Sequence, residues 1–353
     1  MKPSNIGGQA VLEGIMMRHK DKYSVAVRKP NAEIEVMTEE YNGVIPFKVL
    51  FKIPLIRGFL QLIDSLVLGL RTLTYSASFF EEEEEDAAQL SDLEIAKREK
   101  REKLLMNGVV VFALLVGIGV FMLLPFFIST VFQNLIGSRI IIRILEGLFR
   151  VMVFLGYVLL ISRMKDIQRT FMYHGAEHKC INCIEHGQPL TVANIRNNSR
   201  FHKRCGTSFL FFVIIVSIIF TFFITAETLM LRMLIRISII PLIAGVSYEI
   251  IRLAGKSNNP LINLLSKPGM AVQKATTKEP DDGMIEVAIV AIEKIFDWQA
   301  FVAETYPEYP ENISLLEEVS EDVGTTPVEA EKSERNELRT NGNESDKGRS
   351  GRN

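Results

Sequence analysis

Three cysteines in 353 residues are too few for a disulfide framework. Reduced thiols or metal ligands suit them better. The first residues, MKPSNIGGQAVLEG, have no apolar stretch of signal-peptide length, so no cleaved export signal is expected. Excess charge of either sign is also missing, with 40 Lys and Arg against 42 Asp and Glu. The charges that exist are segregated. Basic clusters flank long apolar blocks and the C-terminal tail is acidic, which is a membrane-protein pattern and gives no case for nucleic-acid binding.

Nearly half of the chain, 48%, is hydrophobic, including 22 Phe. Residues 1–50 read as a cytoplasmic α/β segment, with strands at Lys22–Arg28 and Glu33–Met37 around a turn at Pro30-Asn31. Residues 51–80 place Arg57, Asp64 and Arg71 on one stripe of an amphipathic helix, interfacial or re-entrant, because three charges do not suit a free lipid-spanning helix. Residues 81–105 form a charged linker, with EEEEED at 81–86 and KREKREK at 97–103.

About four spans are expected. A first pair occupies 106–162 (Met106 to Ile136, bent at Pro125, then Ile140 to Ser162), and a second hairpin occupies 208–251 (Phe209 to Ala226, then Met233 to Ile250). Glu146, Arg150 and Glu249 are ionisable groups inside these spans, and Glu146 lies four residues from Arg150, a spacing that allows pairing. The expected class is therefore mainly α: a polytopic helical membrane protein with a strand-containing N-terminal segment. Clusters at 97–103, 163–169, 203–204 and Arg252 with Lys256 fall on alternate ends of the spans, which puts both termini in the cytoplasm of a plasma-membrane protein. Arg139 and Arg143 run against that assignment. Residues 252–307 resume cytoplasmic structure, with a helix from Gly283 to Phe301 capped by Asp281 or Asp282, and 308–353 reads as a disordered tail. The partners expected are membrane lipids and a second copy of the chain.

The chemistry concentrates in the loop 163–207. It holds His174, His178, His186 and His202 together with Cys180, Cys183 and Cys205. On a helix His174 and His178 share a face, the spacing that grips one metal, although Glu177 does not follow the first histidine as it does in zincins. Two ligand sets compete. An open catalytic site uses His174, His178 and either His202 or Cys205, with Glu177 as base or orienting group. A closed structural site uses Cys180, Cys183, His202 and Cys205. Without a metal, the same histidines serve as hydrogen-bonding groups and the cysteines as small core residues. The open set gives nearly every member a use, and with a carboxylate nearby it points to divalent metal, zinc first, and to hydrolysis. A membrane scaffold held by structural zinc and a transporter are the rivals.

Four stretches resemble the DUF1385, or YqhQ, family of bacterial membrane proteins: GGQAVLEGIMMR (Gly7–Arg18), YHGAEHK (Tyr173–Lys179), RFHKRCGTSF (Arg200–Phe209) and TTKEPDDGMIEVAI (Thr276–Ile289). The resemblance implies a metal-dependent enzyme. It carries its polar pattern onto Glu13, His174, Glu177, His178, His202, Cys205 and Glu279, adding Glu13 as a catalytic candidate and Glu279 as an alternative ligand. That pattern does not require Cys180 and Cys183.

Overall fold

The computed structural model describes residues 2–80, 92–225, 228–256 and 259–307; the acidic run at 81–86 and the tail expected to be disordered lie outside them. The N-terminal segment is an antiparallel four-stranded meander: β1 (Gly7–Val11), β2 (Gly14–His19), β3 (Lys22–Arg28) and β4 (Ile34–Glu40). Register runs from Ile15 opposite Ala26 to Val25 opposite Met37. Both faces are covered, so side chains of alternating direction are buried on either side. Ile15, Met17 and Ala26 enter one core, while Met16, Tyr23, Val25 and Val27 enter the other. Burial on both sides leaves GIMMRH without a polar–apolar alternation, which is why β2 does not read as a strand in the sequence.

The first core is shared with helix α5 (Lys165–Glu185) and helix α11 (Asp282–Glu293). Across the sheet lies α1 (Ile56–Ala77), which contributes Leu68. The charged stripe of α1 faces protein. Asp64 accepts from Arg18, Tyr41 and the Val44 amide, Arg71 meets Glu39 and Arg57 meets Glu249. Leu66, Val67 and Leu73 are left exposed.

Helix α2 (Asp92–Ile118) continues through a wide turn at Gly119–Leu123 into α3 (Leu124–Val131). Pro125 cannot donate to the preceding turn, and the widened segment sits just before it. The apolar part, Leu104–Val131, and α4 (Arg139–Ile161) are each long and apolar enough to cross a membrane. Helix α7 (Gly206–Phe222) has 17 residues and falls short. The expected fourth span is a pair, α8 (Leu229–Ser238) and α9 (Ile240–Lys256), bent by 42°. Pro241 removes a helical N–H at that junction. The four expected spans thus become two, or three if the bent pair crosses as one.

Helix α9 packs closely on α1 where two glycines meet. A Cβ on Gly245 would lie 2.4 Å from the Leu55 carbonyl oxygen, and one on Gly58 would lie 2.9 Å from the Gly245 Cα. The short helix α6 (Val192–Asn197) follows α5, and α10 (Pro260–Thr276), not foreseen as a helix, packs along α7. The single helix expected over Gly283–Phe301 is two. Asp281 caps α11 through the Met284 amide at 2.8 Å. Asp297 caps a separate α12 (Trp298–Thr305) through the Ala300 amide, also at 2.8 Å, so the chain turns between them.

Candidate metal centre

Helix α5 carries His174 and His178 one turn apart, and Cys205 is the N-cap of α7. The Cys205 Sγ accepts from the Thr207 amide at 3.4 Å. One ligand atom from each of His174, His178 and Cys205 lies within 4.8 Å of the others, so this trio can hold a metal ion.

The imidazoles are oriented by backbone carbonyls. His174 Nδ1 lies 2.9 Å from the Thr276 oxygen and His178 Nδ1 lies 2.7 Å from the Arg200 oxygen. A carbonyl only accepts, so each Nδ1 carries a proton, and in the neutral imidazole the Nε2 lone pair is then left for a ligand. The Nε2 of His174 faces Cys205 Sγ at 3.3 Å. Neighbouring side chains hold the segment that supplies one of these carbonyls. Lys179 Nζ donates to the Arg196 and Asn198 oxygens at 2.8 and 2.9 Å, and Asn182 Nδ2 donates to Ser199 and Phe201 at 2.6 and 3.1 Å. The other carbonyl is placed by close approach. The loop after α10 crosses α5 where a Cβ on Gly175 would stand 1.9 Å from the Lys278 oxygen.

Glu177 is buried beside the trio, three residues after His174, with the Gly8 amide donating to it. Its Oε2 has no partner among the described residues. Burial pushes its carboxyl up to about 7, against the opposing pull of His174 and the Gly8 amide.

His202 is adjacent but outside the trio. Its ring centroid is 5.7 Å from that of His178, and its backbone is clamped by Gln273, which accepts from its N–H at 2.9 Å and donates to its carbonyl at 2.7 Å. Its Nε2 stands 3.6 Å from Glu185 Oε2, an ion-pair distance beyond hydrogen-bond reach. Burial lowers the His202 pKa. Burial would raise Glu185, but His202, Arg204 and Ser4 outweigh it and hold the carboxyl at about 2.

The remaining candidates lie elsewhere. Cys180 and Cys183 are in the core, where burial raises both thiols, Cys183 to about 12; Cys183 Sγ faces the Pro189 carbonyl at 3.3 Å. The closed set of Cys180, Cys183, His202 and Cys205 is not brought together. Glu13, in the β1–β2 turn, spends both oxygens on Arg169 and also accepts from Tyr173, so it is a tether of α5 and no base for the trio. Glu279 is exposed and pairs with Lys179 at 2.9 Å and with Arg200 at 3.4 Å, which keeps it from ligation. Glu249 is taken up by Arg57. His186 caps the end of α5, its Nδ1 2.7 Å from the Asn182 oxygen. Lys179, Asn182 and Gln273 are the positioning residues that spacing arguments pass over, since their targets are carbonyls and leave no mark in the sequence.

Residues 53–298 match the family described as "Protein of unknown function (DUF1385)". The chain belongs to the DUF1385 family. The trio, with Arg200 and Thr276 whose carbonyls accept from the imidazoles, falls inside the matched range, while the Gly7–Arg18 stretch and Glu13 precede it. The chain is also 33% identical over 301 residues to "Uncharacterized protein YqhQ" of Bacillus subtilis (strain 168), covering 84% of this chain and 94% of that protein. No solved structure matches.

Proposed function

We propose that His174, His178 and Cys205 hold a divalent metal, zinc by preference, and that the chain is a metal-dependent hydrolase working at the cytoplasmic face of a membrane. One observation carries the reading: three N and S donors within 4.8 Å of one another, the two imidazoles oriented by backbone carbonyls. Two nitrogens and a sulfur are a donor set that suits zinc, and three protein ligands leave a fourth position open. Zinc bound there supplies Lewis acidity to a scissile carbonyl or phosphoryl group. Glu177, three residues from His174 and with a buried oxygen that has no partner among the described residues, is the group left to accept a proton from an attacking water. His174 is the half-buried member of the trio and gives the side of approach. The apolar helix α7 starts at Cys205, which favours a substrate presented from the membrane, peptide or lipid.

The rival is a structural clamp that joins α5 to α7. The burial of His178 and Cys205, at 1% and 4% exposure, favours it. Zinc-loaded full-length protein in detergent, assayed against peptide and phospholipid substrates, separates the two. The hydrolase reading expects turnover that falls about 100-fold or more in Glu177→Gln with the metal retained. Full metal with no turnover of either class leaves the clamp; undiminished activity in Glu177→Gln would remove Glu177 as the base and keep the hydrolase.

A further inference from the structure

At the end of the helices away from the trio, the structure holds a cavity of about 480 Å³ between α3, α4, α7 and α8. Its charge is one-sided. Arg139, Arg143, Arg232 and Arg236 line it, against one carboxylate among the described residues, Glu146. That carboxylate is already committed. Arg236 grips both of its oxygens, and Arg150 Nη2 takes Oε1 at 2.8 Å. Arg143 meets no acid among the described residues; it donates to the carbonyls of Phe222 at 2.6 Å and Ile224 at 3.4 Å, at the end of α7. Glu227 lies outside the described residues, and one further carboxylate would still leave the lining positive.

Two further features mark the excess as unfinished. Arg236 is 4% exposed, and its Nε has no partner among the described residues. Arg139 opens α4, whose N-terminus is itself electropositive, and Arg143 lies one turn further on. Cations are disfavoured at a helix N-terminus, so this arrangement adds like to like. Arg139 is exposed and Arg143 half-buried, neither meets a carboxylate among the described residues, and an anion received between them supplies that counter-charge. Guanidinium groups suit a phosphate in particular, because its oxygens accept paired N–H donors. The volume is that of a small-ligand site. The same reading explains why Arg139 and Arg143 contradict the charge rule that orients the other spans.

We propose that this arginine-lined cavity binds a phosphate-bearing group, with Glu146 positioning Arg236 and Arg150 beside it. The site is independent of the metal centre: α7, which separates the two, is 17 residues and so about 25 Å long. The phosphate can belong to a free anion or to a phospholipid headgroup.

The test uses delipidated full-length protein in a zwitterionic detergent. Thermal stabilisation is titrated with inorganic phosphate, and separately with a short-chain phosphatidylglycerol, against chloride at matched ionic strength. Saturable stabilisation by phosphate identifies a free-anion site; stabilisation by the phospholipid alone identifies a headgroup site. In either case Arg143→Gln and Arg139→Gln raise the half-saturating concentration about ten-fold or more, while Arg163→Gln, at the other end of α4, leaves it unchanged. Arg139 is exposed, so its variant reads out binding even where Arg143→Gln folds poorly. Saturation by neither probe, or equal affinity in the cavity variants and the wild type, overturns the proposal.

Discussion

Cys205 Sγ stands 3.3 Å from His174 Nε2, although the two residues are 31 positions apart and belong to different helices. The contact joins α5 to the first turn of α7. Cobalt loaded in place of zinc would therefore show a thiolate charge-transfer band in the near ultraviolet. The band is expected to vanish in Cys205→Ala and to persist in Cys180→Ala and Cys183→Ala. A band insensitive to Cys205 would move the sulfur ligand elsewhere.

Gly175 tests how the Thr276 carbonyl is held. Gly175→Ala puts a methyl against the Lys278 oxygen, so the crossing loop must shift. A loss of about 1–3 kcal/mol in thermal unfolding is expected, the usual cost of overpacking, together with weaker metal retention because His174 loses its orienting acceptor. Unchanged stability and metal content would mean that the loop is not seated against α5.

Glu185 sets an acid limit. Its folded pKa of about 2 is below the ordinary 4.5, so its contribution is complete above about pH 4.5 and is lost as pH falls toward 2. The shift corresponds to roughly 3 kcal/mol. Glu185→Gln should thus be less stable than wild type at pH 7, with the gap narrowing steadily below pH 4.5. A gap that does not depend on pH would place the loss in packing.

Much of this was legible in the sequence, for identifiable reasons. The pair His174 and His178 shows through because helical spacing alone brings them together. Which of Cys205 and His202 completes the trio does not show. That choice depends on Gln273 turning the His202 backbone and on Glu185 facing its ring, both from distant segments. β2 is hidden by burial on two faces, and β1, five residues opening on two glycines, is too short to alternate. The span count is overstated because the run expected over 209–226 forms a helix of only 17 residues, and because hydropathy registers the apolar character around Pro241 but not the bend there. Glu13 looks catalytic by its motif, and only the fold brings Arg169 against it.

Glu146 is a second point where removal of one partner is informative. Glu146→Ala leaves Arg150 and Arg236 buried without a counter-charge and is expected to cost about 3–5 kcal/mol. Replacing Arg236 by Met in the same chain should recover part of that loss in thermal unfolding. If the double variant is no more stable than Glu146→Ala, the penalty does not come from the stranded charge of Arg236.

The most direct test of the central claim is elemental analysis of the detergent-purified full chain, prepared with zinc and without chelator. The account predicts about one zinc per chain, lost in His174→Ala, His178→Ala and Cys205→Ala and kept in Cys180→Ala with Cys183→Ala. A wild-type protein without bound metal, or zinc that leaves only with Cys180 and Cys183, would contradict it.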